Sequence, residues 1–129
     1  MRIILTFFVL LFFLSSHTIR TICDTDKLYG KWRLVESYKE GTITVDSLLK
    51  QKIVSRTSVR LTYLKSGLVE NDQGDYSDTK MFTLDKEKCA IQIIGSTANH
   101  SHTFYILHLD NYYLIESGRG MIYFYERAE

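Results

Sequence analysis

Proline is missing altogether from this 129-residue chain, and cysteine and tryptophan are scarce, at two copies and one. Each shortage narrows the fold. With no proline, no backbone N–H is lost from a ladder, so central strands can run uninterrupted. Two cysteines allow one internal bridge at most, which excludes a scaffold held by several disulfides. A surplus of either charge is lacking too: sixteen Lys and Arg stand against fifteen Asp and Glu, interleaved along the chain, for a net of +1. No basic stripe exists to neutralise a run of phosphates, so nucleic acid is excluded as a partner. The same balance, with 45% apolar residues, excludes an acidic tail and a disordered chain. No Gly-x-Ser-x-Gly elbow, phosphate loop or paired-histidine metal motif occurs, so a binding role is expected rather than an enzymatic one.

Long apolar runs are also rare. One stands out, Ile3 to Leu14, broken only by Thr6, preceded by Met1-Arg2 and followed by polar Ser15, Ser16 and His17. As a helix it would span roughly 18 Å, well short of the roughly 30 Å hydrocarbon layer. A positive start, a short apolar stretch and a polar end make a cleaved export signal, expected over residues 1–22. Residues 23–27 then read as a tether and 28–129 as one domain. The expected destination is the periplasm or, for a lipoprotein, the outer membrane, and otherwise the medium.

Export opens three readings of Cys23 and Cys89. A bridge between them would close a loop of more than sixty residues, contributing roughly 4 kcal/mol in the chain-entropy picture. Alternatively, Cys23 followed by Asp24 and a polar tether looks like the lipid-anchored start of a bacterial lipoprotein. Against that, Arg20-Thr21-Ile22 lacks the small residue usual before such a cysteine. In the third reading both thiols are unpaired, with Cys89 buried and inert at the head of Cys89-Ala90-Ile91-Gln92-Ile93-Ile94.

Aromatic residues are plentiful, nine Tyr and seven Phe, gathered in short alternating segments that suit a pleated sheet. Strands are expected at Trp32–Tyr38, from Val59 to Leu64, at Leu68–Glu70, across Asp75–Leu84 as one or a pair, at Ala90–Ile94, and at Thr103–Leu109, Tyr112–Ser117 and Met121–Glu126. Gly, Asn, Asp and Ser clusters divide them. Val45, Leu48, Leu49, Lys52 and Ile53 instead fall at helical spacing, and Thr44 or Asp46 would cap one short helix. The links after residue 55 are too short for parallel crossovers, so the strands must run antiparallel. Closing about eight of them into an up-and-down barrel leaves no open edge. The fold class expected is all-β, a barrel with one short helix.

Leu28-Tyr29-Gly30-Lys31-Trp32 resembles the opening strand of the calycin superfamily, which includes lipocalins and fatty-acid-binding proteins and shares Gly-x-Trp at that place. The terminal Tyr125-Glu126-Arg127 fits as well, because in that superfamily a basic residue of the last strand packs across the Trp. The resemblance implies that Gly30, Trp32 and Arg127 close one end of the barrel, the guanidinium over the indole contributing roughly 0.5–2 kcal/mol. The layout is most similar to the small lipocalin-like domains of bacterial envelope proteins. Fatty-acid-binding proteins hold a carboxylate with an Arg-x-Tyr pair in the last strand. Here Tyr123-Phe124-Tyr125 stands in that place, without the charge.

An eight-strand barrel is either filled by its side chains or holds one small ligand. Leu34, Leu61, Tyr63, Phe104, Ile106, His108, Tyr123 and Tyr125 are the candidate interior residues, with Met121 on the same parity. They make an apolar cup with hydroxyl and imidazole handles. Glu36 and Glu116 also fall on inward parities, where an apolar setting would raise a carboxyl pKa. His100 and His102 share a strand face but lack further ligands, so no metal is expected. Asp72, Asp75 and Asp78 form no complete calcium loop and read as a solvated turn. Asn99-His100-Ser101 matches a glycosylation acceptor.

Together these features lead to an exported monomer with no cofactor, binding a small apolar or amphipathic molecule non-covalently. The alternative is a filled barrel acting as a protein-interaction or inhibitor module. A barrel isomerase or hydrolase is the third reading.

Overall fold

The computed structural model describes residues 23–95 and 100–128; the expected signal segment lies outside them. Eight antiparallel strands close into one barrel in chain order, each pairing with its sequence neighbour and the last with the first. They are β1 (Gly30–Lys39), β2 (Arg60–Tyr63), β3 (Leu68–Asp72), β4 (Ser77–Asp85), β5 (Ala90–Ile94), β6 (His102–Leu109), β7 (Tyr113–Gly118) and β8 (Met121–Arg127). The Asp75–Leu84 segment thus yields one strand, preceded by a turn that Gln73 N–H closes on the Tyr76 carbonyl and Asp72 caps by accepting from Gly74 N–H. Of the three aspartates near Gly74 only Asp75 lies in this turn; Asp72 ends β3 and Asp78 lies on β4.

The helix is shorter than its apolar spacing suggests. α1 spans Val45–Lys50, started by a capping box in which Thr44 and Ser47 bond reciprocally. Beyond it Lys52 and Ile53 belong to an extended return, because the backbone of Leu34 recruits it: Thr57 N–H donates to the Leu34 carbonyl and Leu34 N–H to that of Val59. Arg56 pairs with Glu126 and fastens the same segment to the last strand. Buried Leu48 of α1 packs on Val35, Ile115, Ile122 and Phe124, a second apolar cluster on the outer wall of the barrel. Both faces of β8 are apolar for this reason. One faces the interior and the other lies beneath a helix.

Two bulges set which side chains point inward. Register shifts between Leu34 and Glu36 on β1, and between Ile106 and His108 on β6. An extra residue in a strand of period two moves everything beyond it to the opposite face. Leu34 therefore lies opposite inward Tyr125, whereas Glu36 lies opposite outward Phe124. Likewise Ile106 is level with Glu116, and His108 with outward Ile115.

The sealed end is built around Trp32, fully buried, whose indole N–H donates to the Leu28 carbonyl at 2.8 Å. Arg127 lies over the indole with its guanidinium carbon 3.8 Å from the ring centroid. The same guanidinium donates to the carbonyls of Tyr29 at 2.9 Å and Lys27 at 2.5 Å. Gly30 is required by this arrangement. It has φ +123, and a Cβ there would stand 2.8 Å from an Arg127 nitrogen. Gly30, Trp32 and Arg127 thus meet at this end of the barrel.

Residues expected to form a tether instead form a 3₁₀ turn, Thr25–Leu28, with Thr25 and Leu28 buried against the barrel. Cys23 is bonded to Cys89 across the same end, with Cα atoms 5.5 Å apart. This settles the three readings in favour of the bridge. A sulfur bonded to Cys89 has no valence left for a thioether, so the lipid anchor at Cys23 gives way, and so do the unpaired thiols.

Candidate ligand-binding site

Above the sealed end, the interior widens into a cavity of about 310 Å³. Its apolar wall comes from alternate residues of neighbouring strands: Leu34 on β1, Leu61 and Tyr63 on β2, Phe104 on β6, and Tyr123 and Tyr125 on β8. These six of the eight candidate interior residues line it. Ile106 points inward too, but is packed in the core among Trp32, Ile91 and Leu114. His108 does not belong to the site. The β6 bulge turns it outward, where its Nε2 meets the Asp110 carboxylate at 2.7 Å. Met121 is half-buried and does not line the cavity.

The aromatic wall is held by edge contacts. Tyr63 meets Phe82 edge-on with ring centroids 5.2 Å apart, and Phe104 meets Tyr123 at 5.9 Å. Phe104 also packs against Gly118, where a Cβ would come within 2.4 Å of the ring. A side chain at this position would therefore displace the ring.

Glu116 is the one carboxyl at the floor of this space, and it is 1% exposed. Burial is the main cause that raises its pKa, from an ordinary 4.5 to about 7. The hydroxyls of Tyr63, at 3.4 Å, and Tyr125 act on it as donors and offset part of that rise. Burial in turn drives both phenols well above their usual range, with the nearby carboxyl adding to it, so they remain donors at neutral pH. Glu36, the other carboxyl on an inward parity by simple alternation, is exposed and accepts from Tyr38 at 3.0 Å.

Polar residues gather towards the open end. Asn71 and Gln73 from β3 and its turn, Asp78 and Lys80 from β4, His102 from β6 and Arg119 from the β7–β8 turn all border the cavity. The Asn71 side-chain oxygen is buried without a hydrogen-bond partner, an acceptor facing space a ligand would fill. Alternation along β3 and β4 would have found Val69, Asn71, Asp78 and Lys80, since each shares parity with a core neighbour. The polarity of Asn71, Asp78 and Lys80 makes these three look solvated in the sequence. Among the described residues no three His, Cys, Asp or Glu side chains gather as a metal site.

Two solved structures share this architecture. A lipocalin-like protein from Bacteroides uniformis ATCC 8492 superposes with a TM-score of 0.55 at 21% identity, over 78% of this chain and 98% of its own. The fold is lipocalin-like. An uncharacterized protein from Bacteroides eggerthii DSM 20697 gives a TM-score of 0.52 at 15% identity, over 77% of this chain and 98% of its own. No protein-family model and no curated protein sequence matches the chain. At these identities the likeness carries the lipocalin-like barrel and nothing of its ligand.

Proposed function

We propose that this protein is an exported carrier or sensor barrel that binds one small apolar or amphipathic molecule without covalent chemistry. The cavity carries this reading. Its volume of about 310 Å³ falls at the lower end of the roughly 300–1,000 Å³ range of small-molecule sites. Its wall is mainly apolar with a few convergent polar groups, as such sites require. The Cys23–Cys89 bridge supports export, because disulfides persist in oxidising compartments and are rare in the cytosol.

Titration of N-phenyl-1-naphthylamine, an uncharged dye that fluoresces in apolar surroundings, tests the reading. Saturable one-to-one binding is expected. Leu61→Trp, which fills part of the lumen, should weaken it at least tenfold while far-UV circular dichroism stays that of the barrel. Dye that does not bind, or that binds the folded Leu61→Trp barrel equally well, would move the function to the outer surface and the filled-barrel alternative.

A further inference from the structure

The open end of the cavity is not neutral. Two strands and a turn bring Lys80, His102 and Arg119 to its border, where Asp78 stands beside Lys80 on the same strand. Lys80 is already paired with Asp78 at 3.7 Å. Among the described residues Arg119 has no ion-pair partner, although it sits on a two-residue turn in a left-handed conformation, φ 56. The tight hairpin turn requires that positive φ and fixes the arginine at the rim. The positive field is felt locally. His102 titrates below its ordinary range, through desolvation first and then through the charges of Arg119, Lys80 and His100. Deeper in, the wall turns aromatic at Phe104 and Tyr123, and the floor holds Glu116 between two phenols.

We infer that the ligand is an anionic amphiphile, bound with its acidic group at the mouth between Lys80, His102 and Arg119 and its apolar body against Phe104 and Tyr123. This rests on the hollow-barrel reading above and adds the ligand's chemical class and its direction of entry. An anion carried deeper would meet the Glu116 carboxyl, whose own charged form is already disfavoured there, so the acidic end stays outward. Arg119 supplies a planar fork suited to a carboxylate, sulfonate or phosphate. The neutral imidazole of His102 adds an N–H donor, and the unpartnered Asn71 oxygen accepts from any donor on the ligand's flank.

Two dyes that share one ring framework isolate the acidic group: 8-anilinonaphthalene-1-sulfonate carries a sulfonate, and N-phenyl-1-naphthylamine lacks it. At low ionic strength the sulfonate dye should bind the intact protein at least tenfold more tightly. That preference should shrink as salt is raised to 0.5 M, roughly where screening confines charge effects to a few ångströms. The double variant Lys80→Gln, Arg119→Asn should lose most of the preference, read as the ratio of the two dyes' affinities measured on that same variant; Asn is chosen because it tolerates a positive φ. Equal affinity for the two dyes in the intact protein, or an unchanged ratio in the double variant, overturns the inference and leaves the hollow barrel standing. Failure of both dyes overturns the barrel reading along with it.

Discussion

Replacing Glu116 by Gln should stabilise the protein, and the gain should grow with pH. The carboxyl is 1% exposed and its pKa is displaced from 4.5 to about 7. At about 1.36 kcal/mol per pH unit, ionising it in the folded state costs on the order of 3 kcal/mol more than in the unfolded chain. The sign follows from proton counting. Between pH 4.5 and 7 the folded protein holds a proton that the unfolded chain has released, so stability falls as pH rises through that window. Below it the two states are equally protonated and the penalty vanishes; above pH 7 the penalty is complete. Glutamine keeps the shape, can accept from one phenol and donate to the other, and never ionises. Urea unfolding of both proteins from pH 4.5 to 8.5 would give the difference curve, in which the remaining titrating groups largely cancel. The expected curve starts near zero or slightly unfavourable to Gln and climbs by about 2–3 kcal/mol by pH 8. A flat difference across the range would refute the placement of Glu116 as a buried carboxyl without a positive partner.

Two other perturbations probe the sealed end. Replacing both Cys23 and Cys89 by Ser should lower stability by about 4 kcal/mol, since the bridge joins residues 66 apart; chemical denaturation reads this, and reduction of the native protein should match it. Gly30→Ala should cost about 2–3 kcal/mol, because it forces a side chain into φ +123 and against Arg127. Near-ultraviolet circular dichroism of Trp32 should weaken with it, and an unchanged signal and midpoint would show that the closure does not depend on this contact.

Much of the barrel could be read directly from the chain because its determinants are local. Asp110-Asn111 and Gly118-Arg119-Gly120 mark hairpins by turn chemistry alone, and Trp32 and Arg127 are single residues at fixed ends of the fold. Both faces of β8 are apolar for a tertiary reason: Ile122 and Phe124 owe their burial to Leu48 of a helix far away in sequence. His108 and Glu36 were misassigned because a bulge leaves no compositional mark. Leu107 and Val35 look like ordinary strand residues, yet each displaces its successors by one position. The mouth was missed for an opposite reason, since a lysine or arginine at the end of a strand is indistinguishable from solvated surface until the barrel closes. Cys23 and Cys89 could not be paired from sequence, as their meeting depends on the 3₁₀ turn that brings the chain under the barrel.

Because the chain enters at the plugged base, pinned there by its bond to the β4–β5 turn, the two poles of the molecule are free for different tasks. Whatever is joined ahead of Cys23, whether a longer leader, a tag or a solid support, meets the protein on the side away from the Arg119 rim. Immobilisation through that terminus would present every copy with its opening towards the solvent.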